Sequence, residues 1–145
     1  MTCLNKSTGF SLVELIISIS IIALLAGMAV PALNRVVEKQ ALSSYAHQLA
    51  GDIRYVRHRK INRENYSITL KKKSYEIIKE NAILEIINAP KGIYYDGPNN
   101  KKIEFSYSGA TAGEGMTIRL LDSYGDGYEI RITPVTGRVR IYPNP

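Results

Sequence analysis

The sequence predicts an α+β fold, in which one long N-terminal helix packs on an antiparallel β-sheet. Apolar residues recur at helical spacing from Ser11 to about residue 62. The rest of the chain alternates apolar and polar residues in short runs, which turn-forming residues separate. The helix itself has two parts, because residues 12–30 are almost wholly apolar and the later part is amphipathic.

Residues 12–30 form a 19-residue apolar segment in which Glu14 is the only charge. This length is just enough to cross a bilayer as a helix. A cleaved secretory signal is the alternative, with Ala26, Gly27 and Ala29 as the small residues of its cleavage site. The segment is long for such a signal, however, and the helical pattern continues beyond it. We therefore expect a single membrane-spanning helix.

Glu14 is unusual because a carboxylate at membrane depth costs about 2.5–3.5 kcal/mol and is usually paired. No Lys, Arg or His lies between Lys6 and Arg35, so the segment offers this carboxylate no partner. Either Glu14 lies near the interface and reaches water, or its partner is an amine created by cleavage nearby, on this chain or on a neighbour.

Beyond Pro31 apolar residues recur at helical spacing. They are Leu33, Val37 and Ala41, continued by a stripe of Leu42, Tyr45/Ala46, Leu49, Ile53 and Val56. This stripe predicts packing on the domain that follows. Pro31 lies between the two parts and has no backbone N–H, so we expect it to bend or loosen the helix there.

Five basic residues crowd the predicted end of the helix. They are Arg54, Arg57, Arg59, Lys60 and Arg63. We interpret them as a solvated helix face directed towards neighbouring subunits.

The region after the helix predicts several short antiparallel strands. The strands are expected around Tyr66–Leu70, Tyr75–Ile77, Ile83–Ile87, Ile103–Tyr107, Met116–Leu121, Tyr128–Thr133 and Arg138–Tyr142. Turn sequences such as Asp96-Gly97-Pro98 and Gly125-Asp126-Gly127 separate them. We expect them to form one sheet.

Composition and spacing give no sign of an enzyme, a cofactor or a metal site. The chain has one cysteine, Cys3, and its two histidines, His47 and His58, lack any metal-ligand spacing. Asp122, Asp126 and Glu129 do not fit the EF-hand pattern and predict a hairpin loop instead. The net charge of +6 lies in the soluble part and suggests acidic partners without identifying one.

The N-terminus resembles the class III leader of type IV pilins and pseudopilins. The residues that carry the resemblance are Gly9-Phe10-Ser11-Leu12-Val13-Glu14-Leu15, the apolar segment and Pro31. The resemblance implies cleavage after Gly9 by prepilin peptidase and N-methylation of Phe10. It also implies that Glu14 pairs with the terminal amine of an adjacent subunit during assembly, and it matches Pro31 to the family's helix proline.

The later part is similar to GspH/FimT-type minor pilins. The similarity rests on Ile103–Gly109, Met116–Leu121 and Tyr128–Arg140, which ends in Thr136-Gly137-Arg138-Val139-Arg140. It implies a minor pilin or pseudopilin, a structural subunit of a type IV pilus or a type II secretion pseudopilus. Its partners would be the peptidase, other subunits and the inner membrane.

A DNA-binding minor pilin for DNA uptake is the alternative. Arg138 and Arg140 lie two residues apart in a predicted strand, so both side chains emerge on one face. Gly137-Arg138-Val139-Arg140 also matches the GRxR pattern associated with DNA binding in FimT-type pilins. Protection of an edge strand by charged side chains explains the same two arginines without DNA.

The predicted organisation has four parts: residues 1–9 are the leader, 10–31 the membrane and filament-core helix, 32–62 the amphipathic helix and 63–145 the β-sheet domain. The protein is expected to cross the inner membrane once with its C-terminal domain outside the cytoplasm, and to enter a pilus or pseudopilus after assembly.

Overall fold

The structure is a computed structural model and describes residues 10–111 and 113–144. Helix α1 spans Leu12–Ile61. Its helical assignment continues through Pro31, where the bend predicted from the sequence stays a prediction. The chain divides into two compact units, one up to Val36 and one from Val37 onwards. The first unit, in its described part, is the apolar beginning of α1.

Eight strands follow α1 in the second unit. They are β1 (Tyr66–Leu70), β2 (Ser74–Lys79), β3 (Ala82–Asn88), β4 (Tyr94–Tyr95), β5 (Lys101–Ile103), β6 (Met116–Leu121), β7 (Gly127–Ile132) and β8 (Val139–Asn144). Strands β3-β2-β1-β5 form one antiparallel sheet, which we call sheet 1. Strands β4-β6-β7-β8 form a second antiparallel sheet, sheet 2.

The α+β fold class is confirmed, whereas the expectation of a single sheet is wrong. Two strands differ most from the prediction. Strand β5 covers Lys101–Ile103 and shares only Ile103 with the predicted strand Ile103–Tyr107, because Phe105 forms an isolated bridge with Thr111 instead of pairing with β1. Strand β4 has only two residues and gives no alternating pattern to detect.

One hydrophobic core joins the second part of α1 to both sheets. The helix contributes the predicted stripe from Leu42 onwards together with Ala50, and these seven residues are at most 5% exposed: Leu42, Tyr45, Ala46, Leu49, Ala50, Ile53 and Val56. The earlier positions Leu33 and Val37 are at least 60% exposed. Residues at intervals of three and four turn one face of the helix inwards. Full burial of a large aliphatic side chain contributes about 1.5–3 kcal/mol, so this stripe holds the helix on the sheets.

Buried tyrosines add polar contacts to this core. The Tyr75 hydroxyl donates a hydrogen bond to Asp52 on α1, and its ring lies 5.8 Å from the Tyr45 ring between centroids. Burial raises the pKa of Tyr45 to about 12 and, together with the Asp52 carboxylate, raises that of Tyr75 further. Both hydroxyls therefore stay protonated at physiological pH.

Two of the clustered arginines tie the end of α1 to the loops and to sheet 2. Arg54 donates to the Val139 carbonyl at 3.2 Å, and Arg57 donates to the Gly109 carbonyl at 2.9 Å. Arg54 is exposed, in keeping with the predicted solvated face, whereas Arg57 is half-buried. Arg59, by contrast, pairs with Glu64 at 2.9 Å on the surface.

Candidate functional site

The first candidate site is the apolar beginning of α1. Phe10 is exposed at its start, and the predicted cleavage position Gly9 lies outside the described residues. The large apolar side chains of this segment are more than half exposed: Leu12, Val13, Leu15, Ile16, Ile17, Ile19, Ile21, Ile22, Leu24, Leu25, Met28 and Val30. Such a surface needs a bilayer or other helices to cover it.

Two serine hydroxyls inside this segment form hydrogen bonds within the helix itself. The hydroxyls of Ser18 and Ser20 donate to the carbonyls of Glu14 and Ile16, each at 2.7 Å. Within the described residues, α1 is the one helix long and apolar enough to cross a membrane. Hydroxyls bonded to the preceding turn lower the cost of placing serine in an apolar environment.

Glu14 differs from these serines because its carboxylate is exposed and makes no ion pair among the residues that the structure describes. The predicted role of Glu14 in assembly stays a prediction.

A shallow apolar groove of about 510 Å³ lies further along the same unit. Ala26, Ala29, Val30, Ala32, Leu33 and Val36 line it. Small side chains allow a second helix to approach closely, which favours helix–helix packing at this part of the segment.

The second candidate site is the outer face of sheet 2. Arg131 on β7 pairs with Arg140 on β8, and Arg119 on β6 pairs with Glu129 on β7. Arg138 precedes β8 and is exposed. We call Arg119, Arg131, Arg138 and Arg140 the arginine face.

Glu129 holds two residues of this arginine face, Arg119 and Arg131, in place. Its carboxylate accepts from Arg131 at 2.7 Å and from Arg119 at 3.0 Å, and the residue is 8% exposed. Hydrogen bonds from Arg131 and Arg119 lower the pKa of Glu129. Arg131 also lies over the Tyr142 ring, 4.9 Å from its centroid. Both contacts restrict the Arg131 side chain.

The predicted pair Arg138 and Arg140 borders a depression of about 480 Å³ on this arginine face. Its lining consists of Arg131, Thr133, Thr136, Arg138, Arg140 and Tyr142. Three guanidinium groups and three hydroxyls surround this depression, and the Thr133 hydroxyl already donates to the Arg138 carbonyl at 3.3 Å. The other groups are donors suited to phosphate or carboxylate oxygens. Sequence reasoning missed Arg131, since its position beside Arg140 depends on the β7–β8 register, which no local pattern reveals.

The acidic loop before β7 forms a turn, as predicted. One Asp122 carboxylate oxygen accepts from the backbone N–H groups of Tyr124 and Asp126, both at 2.9 Å. Asp126 lies 3.9 Å from the Lys39 ammonium. Glu129 is bound by two arginines, so the carboxylates of these three acidic residues each have different partners.

One known family model matches the sequence of the first site. Residues 4–30 match the family model of the prokaryotic N-terminal methylation motif, which includes the predicted cleavage position and Glu14. No curated protein sequence matches the chain.

Comparison with solved structures concerns the fold. Two crystal structures of the type IV minor pilin FimU from Pseudomonas aeruginosa superpose with TM-scores of 0.57 and 0.56, at 15% and 16% sequence identity. The alignments cover 70% and 74% of this chain, and 93% and 91% of the FimU chains. At this identity the likeness establishes a shared fold.

Proposed function

We propose that this chain is a type IV pilin, a structural subunit rather than an enzyme, and that it serves as a minor pilin or pseudopilin of a type IV pilus or a type II secretion pseudopilus. One observation carries the proposal: the methylation motif continues directly into an apolar helix whose side chains are exposed. Prepilin peptidase would remove residues 1–9 and methylate the amine of Phe10.

The geometry supports a mechanical role. The apolar part of α1 first holds the precursor in the inner membrane, with the C-terminal domain outside the cytoplasm. It then packs among the equivalent helices of other subunits, which offer the same apolar surroundings without lipid. The domain from Val37 onwards has its own core and presents its sheets to other subunits or to cargo.

Processing provides the direct test. Removal of nine residues from 145 leaves 136, and one methyl group adds about 14 Da to that product. We expect intact mass spectrometry of protein recovered from membranes to show this product, beginning at methylated Phe10. Gly9→Leu should leave the full-length precursor in the membrane, while Ser11→Ala is the control that should be cleaved normally.

A different N-terminus would contradict the proposal. Cleavage by signal peptidase after the small residues would give a product beginning near Ala29. Such a product would lack both Glu14 and most of the apolar segment, and could not enter a filament core.

DNA binding is a second candidate function, and the arginine face favours it. Arg138 and Arg140 border one depression with Arg131, and all three residues are exposed. Arg140 lies on β8, while Arg138, which was predicted to begin the strand, lies just before it. Guanidinium groups about 7 Å apart at two-residue spacing suit successive phosphates. The exposed Tyr142 ring beside them offers a surface on which a base could stack.

Duplex DNA titrated at several salt concentrations tests this function. We expect weak, sequence-independent binding by a fragment of residues 37–145, with affinity falling at a log–log slope of about −0.9 per phosphate contact. Arg138→Ala with Arg140→Ala should make the slope shallower by up to about two units. Fluorescence anisotropy at low salt measures both quantities.

The matched control removes the same charge elsewhere. Lys72→Ala with Lys73→Ala changes two exposed residues between β1 and β2, on sheet 1. Equal losses in both double variants would indicate a general charge effect and would reject the arginine face as the DNA site.

A further inference from the structure

We propose that the exposed β3 edge of one copy pairs with the β5 edge of a second copy, so that sheet 1 continues from subunit to subunit. This pairing goes beyond the proposed function. It takes from that function only the assumption that several copies lie in one membrane. It rests on the two open edges of sheet 1, their direction and their charges.

Strand β3 is a long, apolar and uncovered edge. Ile83, Leu84 and Ile86 are 55%, 56% and 52% exposed, on a strand of seven residues. Natural sheets usually protect such an edge with charges, proline or a covering element, because its free backbone groups can bind another strand. Glu85 is the only charged residue within β3.

The backbone groups of β3 point outwards at known positions. Ala89 donates to the Lys73 carbonyl at 2.9 Å across the β2–β3 ladder. Alternate residues of an antiparallel strand face opposite neighbours. The N–H and C=O groups of Asn88 and Ile86 therefore point away from β2, where a further strand can bind them.

Strand β5 is the other edge of sheet 1, and its free groups can be located in the same way. Lys71 donates to the Ser74 carbonyl at 2.8 Å, so Ile68 and Leu70 face β5 rather than β2. These two residues pair with Ile103 and Lys101. The backbone groups of the residue between them, Lys102, consequently point outwards.

Strand direction favours pairing between these two edges. Strands β3 and β1 are both antiparallel to β2, and β5 is antiparallel to β1. Copies with the same orientation therefore bring β5 of one copy antiparallel to β3 of the next. This head-to-tail contact uses different edges on the two copies, so it can be repeated from copy to copy.

Register and charge agree with this arrangement. We place the outward-facing Ile86 of one copy opposite the outward-facing Lys102 of the second copy. In this register Ile87 lies opposite Lys101 of the second copy, and Glu85 lies diagonally across from the same Lys101. Strand β5 offers the exposed Lys101 to an edge whose one charge is acidic, while Lys102 pairs with Glu104 of its own chain. Diagonal pairs in a sheet are about 7–8 Å apart, within reach of a lysine and a glutamate.

The edges of sheet 2 are poorer partners. Along β8, Arg54 already binds the Val139 carbonyl, and Pro143 has no N–H to donate. Strand β4 is only two residues long. Within the described residues, sheet 1 alone therefore presents a long free edge opposite a basic one.

Disulfide trapping tests the pairing in the full-length protein. Cys3 is the one cysteine of the chain, so in a Cys3→Ser background any disulfide must join the introduced cysteines. Ile87 and Lys101 would face each other as a non-hydrogen-bonded pair with Cα atoms about 4.5 Å apart, close enough for a disulfide. Ile87→Cys with Lys101→Cys in one chain should give a ladder of linked oligomers in oxidised membranes. Coexpressed single variants should stop at dimers.

Three controls identify the contact. Ile87→Cys with Glu114→Cys, which places the second cysteine before β6, should remain monomeric. Ile86→Pro added to the trapping pair should reduce the ladder at least tenfold, because the only N–H it removes points away from β2. Circular dichroism of this variant should match that of the parent. Dimers from Ile87→Cys alone would instead indicate symmetric β3–β3 pairing and overturn the proposal.

The remaining outcomes also decide the question. A chain that forms no ladder overturns the pairing, whatever its processing, and so does a cross-link only to a different membrane protein. The N-terminal mass of the same samples separately tests the proposed function. A ladder built from unprocessed chains would preserve the pairing and reject processing by prepilin peptidase.

Discussion

Gly137→Ala is expected to destabilise the domain by about 2–5 kcal/mol, since two costs combine. Gly137 has a φ of +58°, a left-handed conformation that penalises a Cβ atom. A Cβ at this position would lie 2.0 Å from the Gly109 carbonyl oxygen and 2.7 Å from Arg57 Nε. Both atoms belong to the hydrogen bond that ties α1 to the loop at Gly109. Urea unfolding of a fragment of residues 37–145 measures the loss.

Two glycine controls separate the backbone cost at Gly137 from the cost of the steric clash. Gly125 has a φ of +89°, but a Cβ added there would meet no atom within 4 Å, so Gly125→Ala should show the backbone cost alone, about 1–2 kcal/mol. Gly51 lies within α1, also without a neighbour within 4 Å, and Gly51→Ala should stabilise by about 0.5–1 kcal/mol. Equal effects of the changes at 137 and 125 would contradict the close packing described for Gly137.

This result bears on the Gly137-Arg138-Val139-Arg140 motif. The fold itself requires the glycine, because the chain passes against the Gly109 carbonyl before β8 begins. The glycine therefore gives no support to DNA binding. Only the exposed arginines do, and the salt titration tests them without altering this turn.

Helix α1 can be predicted almost to the residue, because its signal is long and uniform. The periodicity predicts a helix from Ser11 to about residue 62, and Leu12–Ile61 is observed. The buried stripe from Leu42 to Val56 follows from the same periodicity. The methylation motif can also be predicted, since it depends on consecutive residues that need no tertiary context.

The division into two sheets could not be predicted, because pairing partners lie far apart in the chain. Strand β5 joins β1 across more than thirty residues, whereas β6 begins a new sheet with β4. The roles of Arg54 and Arg57 were missed for the same reason. Their acceptors, the carbonyls of Val139 and Gly109, are 85 and 52 residues away in sequence.

The β2–β3 turn shows a local signal that is easily overlooked. Glu80 and Asn81 have φ values of +51° and +68°, so both central residues of this tight hairpin are left-handed. Asparagine tolerates that conformation and glutamate rarely does, and the pair therefore lacks the usual Asn-Gly signature. The hairpin nevertheless presents β3 as the outer edge of sheet 1.

Glu14→Ala is expected to leave processing intact and to reduce incorporation into filaments strongly. If the carboxylate pairs with the terminal amine of an adjacent subunit in apolar surroundings, removing it leaves that amine buried and unpaired. Breaking one partner of such a pair costs about 3–5 kcal/mol, equivalent to more than a hundredfold in association. Immunoblots of sheared filaments and of membranes, compared with the N-terminal mass, measure incorporation and processing separately.

Glu14→Gln distinguishes the charge from the shape of the side chain. It keeps the size and one acceptor oxygen of Glu14, which is exposed at the start of α1, but it cannot neutralise an amine. If pairing drives assembly, Glu14→Gln should resemble Glu14→Ala, and Ser18→Ala, one turn further along, should assemble normally. Normal incorporation of both Glu14 variants would contradict the pairing, because a desolvated amine cannot lose its counter-charge without a measurable loss of assembly.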